Sequence, residues 1–288
     1  MSKRDHKKYL ISACGIGVIA VFASLLLSGS SKVTLASTGI DSVCDTLPPN
    51  ALEPAIDLPA LDSIPLGAKI LMDVYPDFVK GFQNGNIILM DGSTMVFDDK
   101  KEKTFVQKLD DADLEDMFAF KYDRSSWTPG FMQDAGRSRC EAFFKKMYGA
   151  SAAQVRTHLV NVPWFGQQVQ FTTVNHAADS LKAVASDLAK YPELKQYLKS
   201  SGSFYWRKVR GANRQSAHSY GMTIDIGVKF SDYWLWKNPG KKETDKITYA
   251  NRIPHKIVEV FERHGFIWGG RWYHYDTMHF EFRPEILK

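Results

Sequence analysis

Two stretches carry residues able to do chemistry together: RQSAHSYGMTIDIG (Arg214–Gly227) and, about fifty residues later, HYDTMHFEF (His274–Phe282). They hold two imidazoles and a carboxylate, His218, Asp225 and His279, and a second carboxylate, Asp276, three positions before the last of these. A catalytic zinc ion takes three protein ligands from neutral imidazoles, carboxylates or thiolates and keeps one position open for water. His218, Asp225 and His279 meet that count for one Zn2+. A carboxylate that is not a ligand must then accept the proton of the activated water and pass it to the leaving group. Asp276 is placed for that task. Glu281 is its rival, but on a strand it points the same way as His279 and suits the orienting of a ligand better. His6, His158, His176, His255 and His264 have no partner at a useful spacing and read as ordinary surface or core histidines.

The elements that must position these residues follow from periodicity. In MTIDIGV, Ile224, Ile226 and Val228 alternate with Thr223, Asp225 and Gly227, so a strand buries the aliphatics and turns Asp225 to the other face. In HFEF, Phe280 and Phe282 alternate in the same way with His279 and Glu281. Gly221 can supply a tight turn that brings His218 back beside Asp225. NHAADSLKAVASDLAKY and PHKIVEVFERHG have helical spacing, the second stopping at Gly265, and PELKQYLKS begins with proline as a helix does. Earlier, NIILMDGSTMVF reads as a hairpin about Asp91-Gly92, while LDDADLEDMFAF and RSRCEAFFKKMYG read as helices. Helices gathered first and short polar-faced strands afterwards make an α+β domain.

The chain has 288 residues, 44% of them hydrophobic, enough for a substantial core. Its first eight residues carry Lys3, Arg4, Lys7 and Lys8, and an uncharged run spans 10–27. This is an export signal, either cleaved near Thr34-Leu35-Ala36 or retained as a membrane anchor, and both place the remainder outside the cytoplasm, in the periplasm or cell envelope. Residues 1–36 account for most of the formal charge of +5, which falls to +1 without them. No basic block with interleaved aromatics remains to suggest nucleic acid as a partner. Residues 37–65 are rich in proline and small residues and read as a linker, 66–150 as a region without recognisable chemistry, and 151–288 as the domain that carries the metal-competent residues. Cys44 and Cys140 either pair, closing a loop for roughly 4 kcal/mol in the chain-entropy picture, or remain one buried and one mobile thiol.

The pattern Ser216-x-His218-x-x-Gly221-x-x-x-Asp225 followed by Asp276-x-x-His279 resembles the signature of the zinc peptidases of peptidoglycan stem peptides, the D-Ala-D-Ala carboxypeptidase/dipeptidase and L-alanyl-D-glutamate endopeptidase group (M15), over roughly residues 160–288. The resemblance implies a fold similar to the hedgehog and lysostaphin types, in which a small antiparallel sheet carries the zinc and helices pack against it. It implies His218, Asp225 and His279 as ligands. The dipeptidase branch has glutamate where this chain has Asp276; aspartate there, with WGGRW just upstream, looks more like the endopeptidase branch. Arg207, in FYWR, resembles an arginine of those endopeptidases that would help hold an oxyanion. Ser216, Trp272, His274 and Glu281 stand as supporting or substrate-facing residues, with Trp268, Tyr273 and Tyr275 as either cleft wall or core. The expectation is an exported zinc peptidase cutting an L-Ala-D-Glu type bond. The rivals are a D-alanyl-D-alanine carboxypeptidase and, from another class, a non-catalytic zinc-containing module that binds the cell wall.

Overall fold

The computed structural model describes residues 63–288, which lie in one compact unit. The expected leader, the 10–27 run, nearly all of the 37–65 linker and Cys44 lie outside the described residues. Among the described residues no helix is long and apolar enough to cross a membrane.

In chain order the elements are α1 (Leu66–Val74), β1 (Val79–Gln83), β2 (Asn86–Leu89), β3 (Thr94–Val96), α2 (Phe105–Asp110), α3 (Glu141–Tyr148), α4 (Ala152–Arg156), β4 (Leu159–Trp164), β5 (Gln167–Thr172), α5 (Ala177–Leu188), β6 (Ser200–Gly202), β7 (Thr223–Ile226), α6 (Trp234–Lys237), α7 (His255–Arg263), β8 (Phe266–Trp268) and β9 (His279–Phe282), joined by several 3-10 turns. The fold is α+β, with a three-stranded sheet β1-β2-β3, a hairpin β4-β5 and a four-stranded sheet β6-β7-β9-β8, all antiparallel. The hairpin about Asp91-Gly92 is β2-β3, with Gly92 at φ +81°. LDDADLEDMFAF is a helix only in part: α2 ends at Asp110 and a 3-10 turn covers Asp116–Phe118. Asp113 and Asp116 exchange backbone-to-carboxylate hydrogen bonds at 2.9 and 3.1 Å, giving these amides local partners that compete with a helix. PELKQYLKS is likewise a 3-10 turn, Pro192–Tyr197.

The four-stranded sheet has one apolar face. Ile224 and Ile226 of β7 and Phe280 of β9 are fully buried, and α7 covers them with Ile257, Val258, Val260 and Phe261. Phe261 stacks on Phe280 at 3.9 Å between ring centroids. The alternation does not extend to Val228, which is exposed because β7 ends at Ile226. Truncating a fully buried phenylalanine costs about 3–5 kcal/mol. Phe261→Ala is therefore expected to lower unfolding free energy by that amount in urea titration; a loss under 1 kcal/mol would mean that the helix does not hold this sheet.

Residues on both sides of position 150 contribute to one core. One buried cluster contains Ala68 and Leu71 of α1, Ile87 of β2 and Phe143 and Phe144 of α3 together with Ile224, Phe261 and Phe280. α1 and the small first sheet have too little area to bury their own apolar faces, so they complete the core of the C-terminal half.

Candidate metal centre

The register of the four-stranded sheet does the first part of the work: Asp225 of β7 is paired directly with His279 of β9, and Thr223 with Glu281. Directly opposed side chains on one face sit about 4.5–5.5 Å apart at Cβ, so strand pairing alone brings the carboxylate to the imidazole. His218 arrives on a 3-10 turn, Ala217–Tyr220, that Ser216 precedes and Gly221 ends at φ +67°. A Cβ at Gly221 would lie 2.4 Å from Leu159 Cδ2. Conformation and packing both demand glycine at this turn.

The three side chains converge on one point, with ligand atoms all within 4.8 Å of one another. His218 Nε2 lies 3.2 Å from Asp225 Oδ2, and His279 Nδ1 lies 3.1 Å from Asp225 Oδ1. Four ligands at about 2.0–2.1 Å around a tetrahedral zinc are spaced by about 3.3 Å, so the donor spacing fits. The far ring nitrogens fit as well. His218 Nδ1 is 2.6 Å from the Ser203 carbonyl oxygen, which can only accept, so the proton belongs on Nδ1 and the lone pair on Nε2 faces the site. His279 Nε2 lies 3.2 Å from Glu281 Oε2, which leaves Nδ1 as the inward donor. Outer partners of this kind fix ring orientation in metal sites.

The carboxylates and imidazoles of the site shift one another. Burial works against a charged His279, yet hydrogen bonds to Asp225 and Glu281 outweigh it and push its pKa up to about 10. Burial also opposes a charged Asp225, but the two imidazoles hold it well below the usual carboxylate range. Asp276 behaves differently: burial, then the negative charge of Asp225, raise it to about 6. Its Oδ1 is buried and has no hydrogen-bond partner. The Asp276 backbone N–H donates to the Gly269 carbonyl at 3.0 Å, and a Cβ on Gly269 would come within 2.5 Å of the Asp276 carbonyl oxygen. Gly269 thus leaves room for the chain to double back, and Asp276 comes within electrostatic reach of Asp225, His279 and His218. Two carboxylates with such different environments are the usual mark of divided roles.

Several residues singled out in the sequence sit elsewhere. The Arg207 side chain is exposed and donates to the Lys208 carbonyl at 3.4 Å. What Arg207 contributes near the site is backbone: its N–H donates to Ser219 Oγ at 2.9 Å and its carbonyl accepts from the Ser216 N–H at 3.0 Å. Ser216 is buried at the head of the His218 turn, without a side-chain cap. His274 does not face a cleft: it is 1% exposed, its Nδ1 lies 2.6 Å from Asp134 Oδ2, and its ring packs against Trp234 and Tyr273. Trp272 is buried too, its Nε1 donating to the Ala135 carbonyl at 2.6 Å and its ring centroid 5.4 Å from that of His279. Trp268, Tyr273 and Tyr275 are also buried, so these four aromatics are core rather than an open wall. Trp268, Trp272 and Tyr273 meet the 120–137 segment through Trp127, Ala135 and Phe131, while Tyr275 packs on Tyr249 and donates to the Thr248 carbonyl. Among the other histidines, His158, His176 and His255 are exposed, His255 stacking on Trp127 at 3.6 Å, and His264 pairs with Asp187 at 2.9 Å. Cys140 is buried and, among the described residues, has no disulfide partner.

Sequence reasoning missed Arg139 and Arg283, which flank Glu281, and Asp134, which pairs with His274. Nothing in their local spacing marks them; RSRCEAFFKKMYG shows only a helix signal. Asp134, Glu243 and His274 also gather closely enough to suit a metal. There, however, Arg137 already pairs with Asp134 at 2.7 Å and grips both oxygens of Glu243 at 2.8 and 2.9 Å, so the carboxylates have their cation.

Residues 210–282, about a quarter of the chain, match a peptidase M15 family described as D-alanyl-D-alanine carboxypeptidase. The match runs from just before the His218 turn through the end of β9, and so includes all three donors and Asp276. No curated protein matches the chain.

Proposed function

We propose, for a chain whose residues 210–282 belong to the M15 peptidase family, that it is an exported zinc peptidase acting on peptidoglycan stem peptides, in the hedgehog and lysostaphin type of fold. His218, Asp225 and His279 would hold the ion. The observation that carries this reading is the donor set: ligand atoms of His218, Asp225 and His279 within 4.8 Å of one another, the inward ring nitrogens 3.2 and 3.1 Å from the two Asp225 oxygens, each histidine anchored at its far nitrogen, with a buried Asp276 oxygen that has no hydrogen-bond partner in electrostatic reach.

Bound there, zinc would supply a water of lowered pKa and polarise the scissile carbonyl. The protein's own groups do the rest. Asp276 accepts the water proton at Oδ1 and returns it to the leaving nitrogen. Ser203 and Glu281 keep the two imidazoles in the orientation that presents their lone pairs. Arg207, with its guanidinium in solvent, is left for the substrate side.

The endopeptidase activity, rather than removal of a terminal D-Ala, is the version favoured here. A carboxypeptidase needs a cation free to take the terminal carboxylate. The guanidiniums buried around this sheet are committed, Arg137 to Asp134 and Glu243, Arg139 and Arg283 to Glu281, Arg271 to Glu262, and the exposed Arg207 is open to a carboxylate in either case, so the preference rests on Asp276 and WGGRW, which resemble the endopeptidase branch. Digestion of purified peptidoglycan by the full-length, zinc-loaded protein, with products identified by mass spectrometry, is expected to show cleavage between L-Ala and D-Glu. Release of D-Ala alone would transfer the protein to the carboxypeptidase branch, and no cleavage by folded, zinc-bound protein would sink the peptidase reading.

A further inference from the structure

The geometry points to Arg139 as a positioning residue of the metal centre: its guanidinium holds the Glu281 carboxylate turned toward His279. The segment that precedes the family match thereby completes the site. This inference rests on the reading of His218, Asp225 and His279 as zinc ligands.

Glu281 is fully buried. Its Oε1 accepts from Arg283 Nη1 at 2.9 Å, while its Oε2 is shared between His279 Nε2 at 3.2 Å and Arg139 Nη1 at 3.4 Å. Arg283 is also fully buried; its Nε donates to Glu285, its Nη1 to Glu281 and to the Gly136 carbonyl, and its Nη2 is left with no partner. Guanidinium and carboxylate favour two parallel bonds, so Glu281 has an alternative. By turning onto both Nη atoms of Arg283 it would satisfy the orphan donor and desert His279. The charge opposing that turn is Arg139, whose side chain is 11% exposed and which is anchored to the Gly136 carbonyl at 3.2 Å. Without an acceptor on Nε2, the His279 ring would lose the outer hydrogen bond that helps hold Nδ1 toward Asp225.

Arg139 is held in place by a strap, residues 133–140, fastened along the approach to β9. The Gln133 carbonyl accepts from the Tyr273 N–H at 2.9 Å, Asp134 takes the His274 N–H at 3.0 Å, and the Ala135 carbonyl takes Trp272 Nε1 at 2.6 Å. The strap itself lies before position 210, outside the matched segment, while its partners Trp272, Tyr273 and His274 lie inside it.

The test compares the full-length wild type with Arg139→Gln and Arg139→Lys. Zinc affinity is read by competition with a chromogenic chelator, ligand geometry by the visible absorption of the Co(II) form, and folding by the melting temperature of the metal-free protein. Arg139→Gln is expected to weaken zinc binding by about 10–100-fold, the usual cost of losing an outer partner, and to shift the cobalt band, with metal-free melting near that of wild type. Arg139→Lys, which keeps the charge opposite Arg283, is expected to remain close to wild type in affinity and spectrum. Unchanged affinity and spectrum in the glutamine variant would overturn the inference, as would a folded lysine variant that loses zinc. If the glutamine variant does not fold, the lysine variant decides alone. A wild type that binds no zinc would bring down the functional reading as well, whereas a zinc-binding wild type with indifferent variants brings down only the role of Arg139.

Discussion

Asp276→Asn is expected to lower turnover on peptidoglycan peptides by about 10²–10⁴-fold, the usual contribution of a positioned general base, while zinc content and melting temperature stay close to wild type. Asparagine has the same shape and can still accept the Met278 N–H that the aspartate takes, but it cannot accept a proton. The aspartate is suited to the exchange because burial and the charge of Asp225 set its pKa at about 6, closer to neutrality than an ordinary carboxylate. Single-turnover measurement by mass spectrometry, alongside metal analysis, checks the prediction. Turnover within threefold of wild type would remove Asp276 from the chemistry and leave Glu281 as the carboxylate to examine. A module that only binds the wall would be indifferent to this substitution.

His218→Ala is expected to reduce zinc affinity by more than the about 10–100-fold that an outer partner costs, and to abolish hydrolysis. Its loss also strips the Ser203 carbonyl of the ring N–H that now lies 2.6 Å away, and an unpaired buried acceptor costs about 1–3 kcal/mol. That penalty is small beside the core formed by Phe261, Phe280 and their neighbours, so the variant should fold. Calorimetric zinc titration and circular dichroism check both halves. Zinc that serves structure is usually closed by four protein ligands, and its removal unfolds the domain. Among the described residues three donors converge, and removing zinc from the wild type with a chelator should leave the circular dichroism unchanged while activity disappears. Unfolding on chelation would favour the structural alternative.

The chemistry of the site was legible from residue types because the determinants are local. A strand period of two puts Asp225 on the face opposite Ile224 and Ile226, and puts His279 and Glu281 together opposite Phe280 and Phe282; a glycine forced to φ +67° returns the chain so that His218 comes beside Asp225. Helix stops at Gly149 and Gly265 and the Asp91-Gly92 turn were readable for the same reason, since each is a backbone conformation that few residues adopt. Only the tertiary structure decided the rest. The pairing of Asp225 with His279 joins residues 54 apart, and the ion pair of Arg139 with Glu281 joins residues 142 apart; no local period encodes either distance. His274 and Trp272 face inward although their types suit a cleft, because the 133–140 strap supplies Asp134 to His274 Nδ1 and the Ala135 carbonyl to Trp272 Nε1. Arg207 suits an oxyanion by type and position, yet its side chain lies in solvent and its backbone supports the His218 turn. Local sequence determined which groups could serve a metal, and long-range packing determined which of the neighbouring charges hold them in place.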